Sequence, residues 1–297
     1  MDFTSKLSTD DTTNNEKLND DPMQVNSTVV LVVACSGGCD SVALFHSVLA
    51  LTRPEEMGSS TPNRYLYLDS DGRAVSNYSE TSEKSLRIPC ELHVAHFNHE
   101  QRGDNSDQDE ALVRKLCRDA NVPIHCYSWS EVSNGDSIGS ASPSTFSQDV
   151  ARRWRRRNLT ELLSSLVTRS CSSSTESISQ RWGAILTAHH RDDAEETILL
   201  KLLRGAHLTN LSGMDDRSDG FELDKSGNGC LGYFAKPMLG VRKRDIAQYL
   251  ITRGLEWRED ESNSENKYKR NKVRNQVIPL LNEIAGGEEA LQVRIDL

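Results

Sequence analysis

Features that define several common protein classes are missing from this 297-residue sequence. No apolar run approaches the length of about 20 residues that a membrane-spanning helix needs. The first residues lack both the apolar core of a signal peptide and the Arg-rich, acid-poor composition of a transit peptide. We therefore expect a cytoplasmic protein without a membrane partner. The long Ser-rich insertions keep a plastid or mitochondrial matrix as the alternative.

Paired cysteines are also missing. The chain has seven cysteines, an odd number, and none of them forms a CxxC motif. This usage is typical of a reducing compartment and excludes a disulfide framework. We interpret Cys35 and Cys39 as small packing residues rather than as metal ligands.

The sequence also lacks an excess of positive charge. The chain carries 35 Lys and Arg against 44 Asp and Glu, a net charge of −9 that argues against a general nucleic-acid binder. Local basic blocks nevertheless stand out at residues 152–157 and 267–274. Each block is either a solvated surface or a set of phosphate contacts.

The hydrophobic pattern predicts an α/β protein. β-branched or apolar runs predict strands over 28–34, 91–96, 124–127 and 184–187. Amphipathic segments predict helices over 40–51, 107–120, 148–167, 192–204, 241–253 and 275–284. Polar stretches over 53–87, 128–147, 168–181 and 215–229 are typical of surface loops. The alternation predicts a doubly wound, mostly parallel sheet with helices on both faces, followed by a small helical extension.

Residues 36–41, Ser-Gly-Gly-Cys-Asp-Ser, form the most informative motif. They join the first predicted strand to the first predicted helix, which is the geometry that binds phosphate at a helix N-terminus. No Gly-Lys-Ser/Thr follows, so the segment is not a Walker A loop. Its SGGxDS form resembles the pyrophosphate loop of N-type ATP pyrophosphatases. The alternative is an ordinary strand-to-helix turn.

Two other predicted strand ends carry polar side chains. His96, Asn98 and His99 follow the second strand, at the edge where open parallel sheets bind ligands. At residues 187–197, Asp193 and Glu196 are three positions apart and share one helix face. Such a pair can hold a metal ion or an ammonium group, and the alternative is favourable charge at a helix N-terminus.

Taken together, the motifs resemble those of tRNA(Ile)-lysidine synthetases between about residues 28 and 281. The matching segments, in the family's order, are 36–41, 96–102, 187–197, 202–205, 211–214, 236–241, 259–263 and 268–274. The resemblance implies an adenine nucleotide alpha hydrolase-like fold. It also implies a reaction in which ATP adenylates the C2 oxygen of the wobble cytidine, pyrophosphate leaves, and the lysine ε-amine then displaces AMP.

The resemblance assigns roles to individual residues. The ATP-binding group would be Ser36, Gly37, Gly38, Asp40, Ser41, His96 and Asn98, with Asp40 also near Mg²⁺. Asp193 and Glu196 would orient free lysine. Arg152 or Arg155 matches the family's arginine helix, and Arg270, Asn271 and Arg274 match its C-terminal basic motif. Those cations would offset charge on the adenylate and on the isoleucine tRNA with a CAU anticodon.

The sequence and the resemblance together predict a domain organisation. We expect a disordered acidic segment over residues 1–26 and the ATP pyrophosphatase catalytic domain over 27–214. Residues 215–297 would form a C-terminal helical part, without the further tRNA-binding domains of many bacterial members. Two other functions stay open: a tRNA cytidine thiolase of the same fold, which relies on paired cysteines, and a catalytically degenerate nucleotide- or tRNA-binding protein.

Overall fold

The computed structural model describes residues 28–54, 64–68, 86–101, 103–132, 147–169, 182–207, 213–218, 220–222, 231–259 and 269–287. The segment predicted to be disordered, 1–26, and Lys267 of the second basic block lie outside these ranges. None of the helices within them is long and apolar enough to cross a membrane.

The described strands form one eight-stranded sheet, in the order β2-β3-β4-β1-β6-β8-β7, with β5 also paired to β4. The strands are β1 Val29–Ala34, β2 Thr52–Pro54, β3 Arg64–Leu68, β4 Leu86–Asn98, β5 Ile124–Ser128, β6 Trp182–Leu186, β7 Phe221–Glu222 and β8 Leu231–Ala235. The central strand β1 is parallel to both neighbours, with Val33 opposite Val94 on one side and Leu186 on the other. The pairs β4–β5 and β6–β8 are also parallel, whereas β2, β3 and β7 pair antiparallel at the edges. The predicted mostly parallel sheet is therefore confirmed.

Helices cover both faces of the sheet. They are α1 Cys39–Leu51, α2 Asp104–Asp119, α3 Trp129–Val132, α4 Gln148–Arg169, α5 Arg191–Leu203, α6 Lys243–Thr252, α7 Lys269–Lys272 and α8 Ile278–Ala285, with a π-helical turn, Val273–Val277, between the last two. Buried side chains of α1, α2 and α6 form one core with Val33 and Val94. The apolar stripe of α4 forms the other core with Val30, Val32 and Ile185. The alternation of β1 side chains between these two cores explains why a continuous β-branched run forms the centre of the sheet.

The structure corrects three details of the predicted elements. Part of the predicted loop 53–87 is strand, because the side chain of Arg64 is buried and donates to the carbonyls of Thr52 and Ala120 at 2.9 and 2.8 Å. The sheet also continues past residue 214, since β7 and β8 extend it beyond β6. Finally, the helix predicted over 275–284 begins earlier and is interrupted by the π-helical turn.

Candidate active site

The loop between β1 and α1 is built around Ser41. Its Oγ accepts from the Ser36 amide at 3.1 Å and donates to the Gly38 carbonyl at 3.0 Å. Gly38 is the N-cap residue of α1, and no side chain caps the helix there. The first amides of α1 therefore lack a side-chain acceptor, which is the arrangement that receives a phosphate. The loop is bracketed by buried Cys35 and Cys39, as predicted, and burial raises the pKa of both thiols so that they stay protonated.

Asp40 connects the loop to two other parts of the chain. Its Oδ1 accepts from Lys243 Nζ, at the start of α6, at 2.5 Å. Its Oδ2 lies 3.8 Å from Nε2 of His190, the N-cap residue of α5. Lys243 thus places a cation at a loop that has no lysine of its own.

The two adjacent histidines before α5 have opposite electrostatic environments. His190 is buried, and burial disfavours its charged form, but the neighbouring carboxylates, Asp192 first, outweigh burial and raise the pKa of His190. For His189, burial lowers the pKa, Asp193 opposes that effect, and nearby cations add to the lowering, so the pKa lies below its ordinary value. At neutral pH His189 is therefore a neutral ring beside the site, whereas His190 carries positive charge more readily than an ordinary histidine.

Two acidic residues at the start of α5 have structural partners. Asp192 Oδ2 accepts from the Lys243 amide at 2.9 Å and lies 3.5 Å from His190 Nδ1. Burial opposes ionisation, but these hydrogen bonds prevail and hold the pKa of Asp192 well below its usual range. Glu195 accepts from Arg242 at 2.8 Å and from Arg191 at 3.3 Å. These two carboxylates join α5 to the beginning of α6.

Asp193 and Glu196 share one face of α5, as their spacing predicts, and together hold two arginines. Arg270 Nε donates to Glu196 Oε2 at 2.7 Å, and its NH2 group donates to Asp193 Oδ1 at 2.9 Å. Arg274 Nε donates to Glu196 Oε1, and its NH2 group reaches Asp193 Oδ1 at 3.4 Å. Glu196 is fully buried, and burial opposes the charge of Arg274, but the Glu196 carboxylate outweighs burial and raises the pKa of Arg274.

This pairing joins two groups for which separate roles were predicted. The carboxylates were expected to orient a lysine ammonium, and the arginines to offset charge on the adenylate and tRNA. In the structure each group balances the charge of the other. Arg270 lies in α7 and Arg274 in the π-helical turn, with side chains 42% and 36% exposed. The arginines are therefore the solvent-facing half of the cluster.

Part of this site lines one cavity of about 1020 Å³, whereas His189, Glu195 and the loop residues Ser36, Gly37, Gly38 and Ser41 are not in its lining. Its acidic lining residues are Asp40, Asp192, Asp193, Glu196 and Glu283, and its basic ones are His190, Lys243, Arg270 and Arg274. The cavity extends along the last helix to Gly286 and Gly287. Charges of both signs line this cavity, which suits a charged substrate.

His96 and Asn98 lie at the predicted strand end but not in the lining of this cavity. His96 Nδ1 lies 2.9 Å from the Cys35 carbonyl, and burial lowers the pKa of His96 despite that hydrogen bond. Its Nε2 atom is buried without a hydrogen-bond partner among the described residues. Asn98 Nδ2 donates to Asp107 at 3.1 Å, and Asn98 Oδ1 accepts from the Glu100 amide at 2.9 Å. Their predicted contact with ATP stays a prediction.

The arginines of α4 lie on its exposed side, as their position off the apolar stripe predicts. Arg152 is close enough to His189 and to Lys236 to lower the pKa of each, after the larger effect of burial. Arg155 interacts electrostatically with Arg152 itself. Of the two candidates, Arg152 is therefore the one that lies close to His189 and Lys236.

Sequence reasoning missed Lys243 and Lys236. Lys243 follows Arg242 in a polar run that reads as an ordinary helix start, and nothing local connects it to Asp40, about 200 positions earlier. Lys236 follows β8, a strand that was not predicted, and its Nζ donates to the Asp215 carbonyl at 2.5 Å. The available signal for Lys236 was its place at the start of the matching segment 236–241, to which no site role was assigned.

Comparison with known proteins places this site in a family. The sequence matches the profile of the PP-loop domain (ATP_bind_3) over residues 8–281. The chain belongs to the PP-loop family. This membership accounts for the glycine loop at the end of β1 and for ATP as its ligand. The match runs across residue 214 and so includes most of residues 215–297, the predicted C-terminal part of the catalytic region.

Curated proteins similar to this chain include tRNA(Ile)-lysidine synthases. A tRNA(Ile)-lysidine synthase from Geobacter sulfurreducens is 28% identical over 259 residues, which cover 86% of this chain and 41% of that protein. A tRNA(Ile)-lysidine synthase from Chlorobaculum tepidum is 32% identical over 196 residues, which cover 66% of this chain and 50% of that protein. The chain thus spans about half, or less, of the length of these relatives.

One solved structure was also compared. The U34-tRNA thiolase NcsA from Methanococcus maripaludis, with its 4Fe-4S cluster, has a TM-score of 0.49 at 14% identity, covering 88% of this chain and 68% of that one. A likeness of this size carries no argument about fold or function.

Proposed function

We propose that this PP-loop protein modifies isoleucine tRNA by converting the wobble cytidine of a CAU anticodon to lysidine. In the first step the C2 oxygen of the base attacks the α-phosphorus of ATP, and pyrophosphate leaves. In the second step the ε-amine of free lysine attacks C2, the C2–O bond breaks, and AMP leaves. The names of the curated relatives support this choice of substrate and reaction.

The observation that carries the proposal is the meeting of Asp40 with the Asp193–Glu196 pair in one cavity. Asp40 lies on the loop that binds ATP in this family, and the pair supplies the negative charge that a lysine ammonium requires. A protein that only binds nucleotide needs no carboxylate pair beside its phosphate loop. Two half-reactions that share an intermediate need the two subsites next to each other.

For the first half-reaction we assign the triphosphate to the loop and to Lys243. The uncapped amides of α1 face the phosphates, and Ser36, Gly37, Gly38 and Ser41 shape the loop. Mg²⁺ is commonly held by one or two carboxylates together with phosphate oxygens. Asp40 would be that carboxylate, and Lys243 would supply a cation for the phosphates.

For the second half-reaction the lysine ammonium must displace a guanidinium from Asp193 or Glu196. Arg270 and Arg274 are the mobile partners in this exchange, because their side chains are 42% and 36% exposed while Glu196 is buried. Phosphate groups of the adenylate and the tRNA offer them new anionic partners of comparable strength. The exchange would keep the buried carboxylates paired throughout.

Pyrophosphate release tests the proposal against a pure binding protein. The full chain is incubated with Mg-ATP, with or without tRNA(Ile) transcript carrying a CAU anticodon. We expect pyrophosphate release to depend on this tRNA and to be much weaker with a transcript in which the wobble cytidine is replaced by uridine. Binding of ATP and tRNA with no pyrophosphate release would favour the degenerate binding protein instead.

A further inference from the structure

The ATP-binding loop is held in place by a segment from far along the chain. Residues 255–259 follow α6, and the Arg258 amide donates to the Gly37 carbonyl at 3.0 Å. Gly38 and Arg258 also form an isolated parallel β-bridge. Leu255 and Trp257 pack against the core formed by α1, α2 and α6, so this segment is itself fixed by the core.

The side chain of Arg258 extends the same contact to α2. Its Nε donates to Asp109 Oδ1 at 2.6 Å, and its NH2 group donates to Asn105 Oδ1 at 3.1 Å. The ion pair is partly shielded from water, since the Arg258 side chain is 31% exposed and that of Asp109 is 13% exposed. A shielded, forked arginine contact fixes orientation as well as distance.

Asp109 also touches the loop from the other side. A Cβ atom added to Gly37 would lie 3.2 Å from the Asp109 carbonyl oxygen, so backbone contacts backbone there. Gly37 has a φ of +90°, which L side chains rarely adopt. Gly37 is therefore enclosed between α2 and the 255–259 segment, and the Arg258–Asp109 ion pair joins the two walls.

We propose that Arg258 is a positioning residue for ATP, acting through Asp109 and the Gly37 carbonyl to hold the loop amides in their phosphate-binding arrangement. This inference rests on the proposed use of ATP by the loop. The side chain of Arg258 points to α2, so it need not touch the nucleotide. Its effect on ATP comes from keeping the two walls of the loop at a fixed separation.

A second ion pair provides a matched control. Lys115 of α2 and Glu256 of the same segment are joined at 2.8 Å, with side chains 53% and 70% exposed. This pair links the same two parts of the chain but lies in solvent, where ion pairs contribute little. Lys115→Ala therefore removes a bridge of the same kind without disturbing the walls of Gly37.

The experiment measures Mg-ATP affinity of the full chain by isothermal titration calorimetry, with melting temperature as the control for folding. We expect Arg258→Ala to weaken ATP binding about tenfold, because small displacements of positioned groups have large effects. Lys115→Ala should change the affinity less than twofold. Asp109→Asn should weaken binding as Arg258→Ala does, and the double variant should be no weaker than either single variant. Arg258→Lys should restore part of the lost affinity.

In steady-state pyrophosphate release, Arg258→Ala should raise the KM for ATP and leave the KM for lysine unchanged. ATP affinities of Arg258→Ala and Arg258→Lys equal to that of the wild type, at normal melting temperatures, would overturn this inference alone. So would an equal loss of affinity in Lys115→Ala. A wild-type chain that binds no ATP would overturn the proposed function, and the inference with it. A wild-type chain that binds ATP but makes no lysidine would overturn only the proposed substrate.

Discussion

At the scale of single residues, Asp40 is the acidic residue of the site that the glycine-loop motif identifies from the sequence. It lies on the loop, contacts Lys243 at 2.5 Å and lies 3.8 Å from His190. We expect Asp40→Ala to abolish pyrophosphate release with a near-normal melting temperature, because its side chain is 30% exposed and contributes little to packing. The control is Asp245→Ala, a more exposed carboxylate in the first turn of α6. Near-normal pyrophosphate release by Asp40→Ala would remove Asp40 from the ATP site.

Glu196 tests whether the carboxylate pair receives lysine. Glu196→Gln removes half of the negative charge while keeping the shape, so we expect the KM for lysine to rise about tenfold, in line with the loss of a charge-assisted hydrogen bond. The KM for ATP should change much less. Glu195→Gln is the matched control, because Glu195 is also buried and also holds two arginines, Arg191 and Arg242. A shift in ATP dependence alone would make the Asp193–Glu196 pair a metal site instead.

At the scale of elements, the arginines of α4 differ in what holds them. Arg157 donates to Glu161 at 2.8 Å, and the guanidinium of Arg156 lies 4.1 Å from the ring centroid of Phe234. Arg152 instead acts on His189 and Lys236 beside the site. We expect Arg152→Ala to lower tRNA-dependent pyrophosphate release about tenfold at saturating tRNA, as expected for one lost charge-assisted contact. Arg157→Ala should have almost no effect. If both variants release pyrophosphate as the wild type does, the exposed side of α4 is an ordinary solvated face.

The elements also show what the sequence could and could not predict. The β1 strand, its glycine loop and the shared face of Asp193 and Glu196 depend on residues within a few positions, so local pattern was sufficient. The pairing of Asp193 and Glu196 with Arg270 and Arg274 spans more than 70 positions. Periodicity carries no information about such contacts, because they are set by how α5 packs against the π-helical turn.

The edge strands illustrate a second limit. Arg64–Leu68 lies inside a polar insertion and begins with an arginine, which favours a surface loop in any composition-based interpretation. This strand pairs with β4, and the buried Arg64 guanidinium donates to the carbonyls of Thr52 and Ala120. Tertiary contacts of this kind override local propensity.

At the scale of the whole molecule, an acidic protein of net charge −9 is proposed to act on a polyanion. Cations from α6, α7 and the π-helical turn line the cavity, and Arg152 of α4 lies close to His189 beside it, so the site offers local positive charge despite the negative net charge. The chain spans only about half the length of its curated relatives, so its own affinity for tRNA is a quantity to be measured. The cavity lining includes Asp40 and the Asp193–Glu196 pair, to which we assign the two half-reactions.

The most direct test is mass spectrometry of nucleosides from tRNA(Ile) with a CAU anticodon, after incubation of the full chain with Mg-ATP and lysine. The account predicts that cytidine at the wobble position is replaced by lysidine, only when both ATP and lysine are present, and not with Asp40→Ala. Unmodified cytidine under these conditions, or thiocytidine when a sulfur donor replaces lysine, would contradict it.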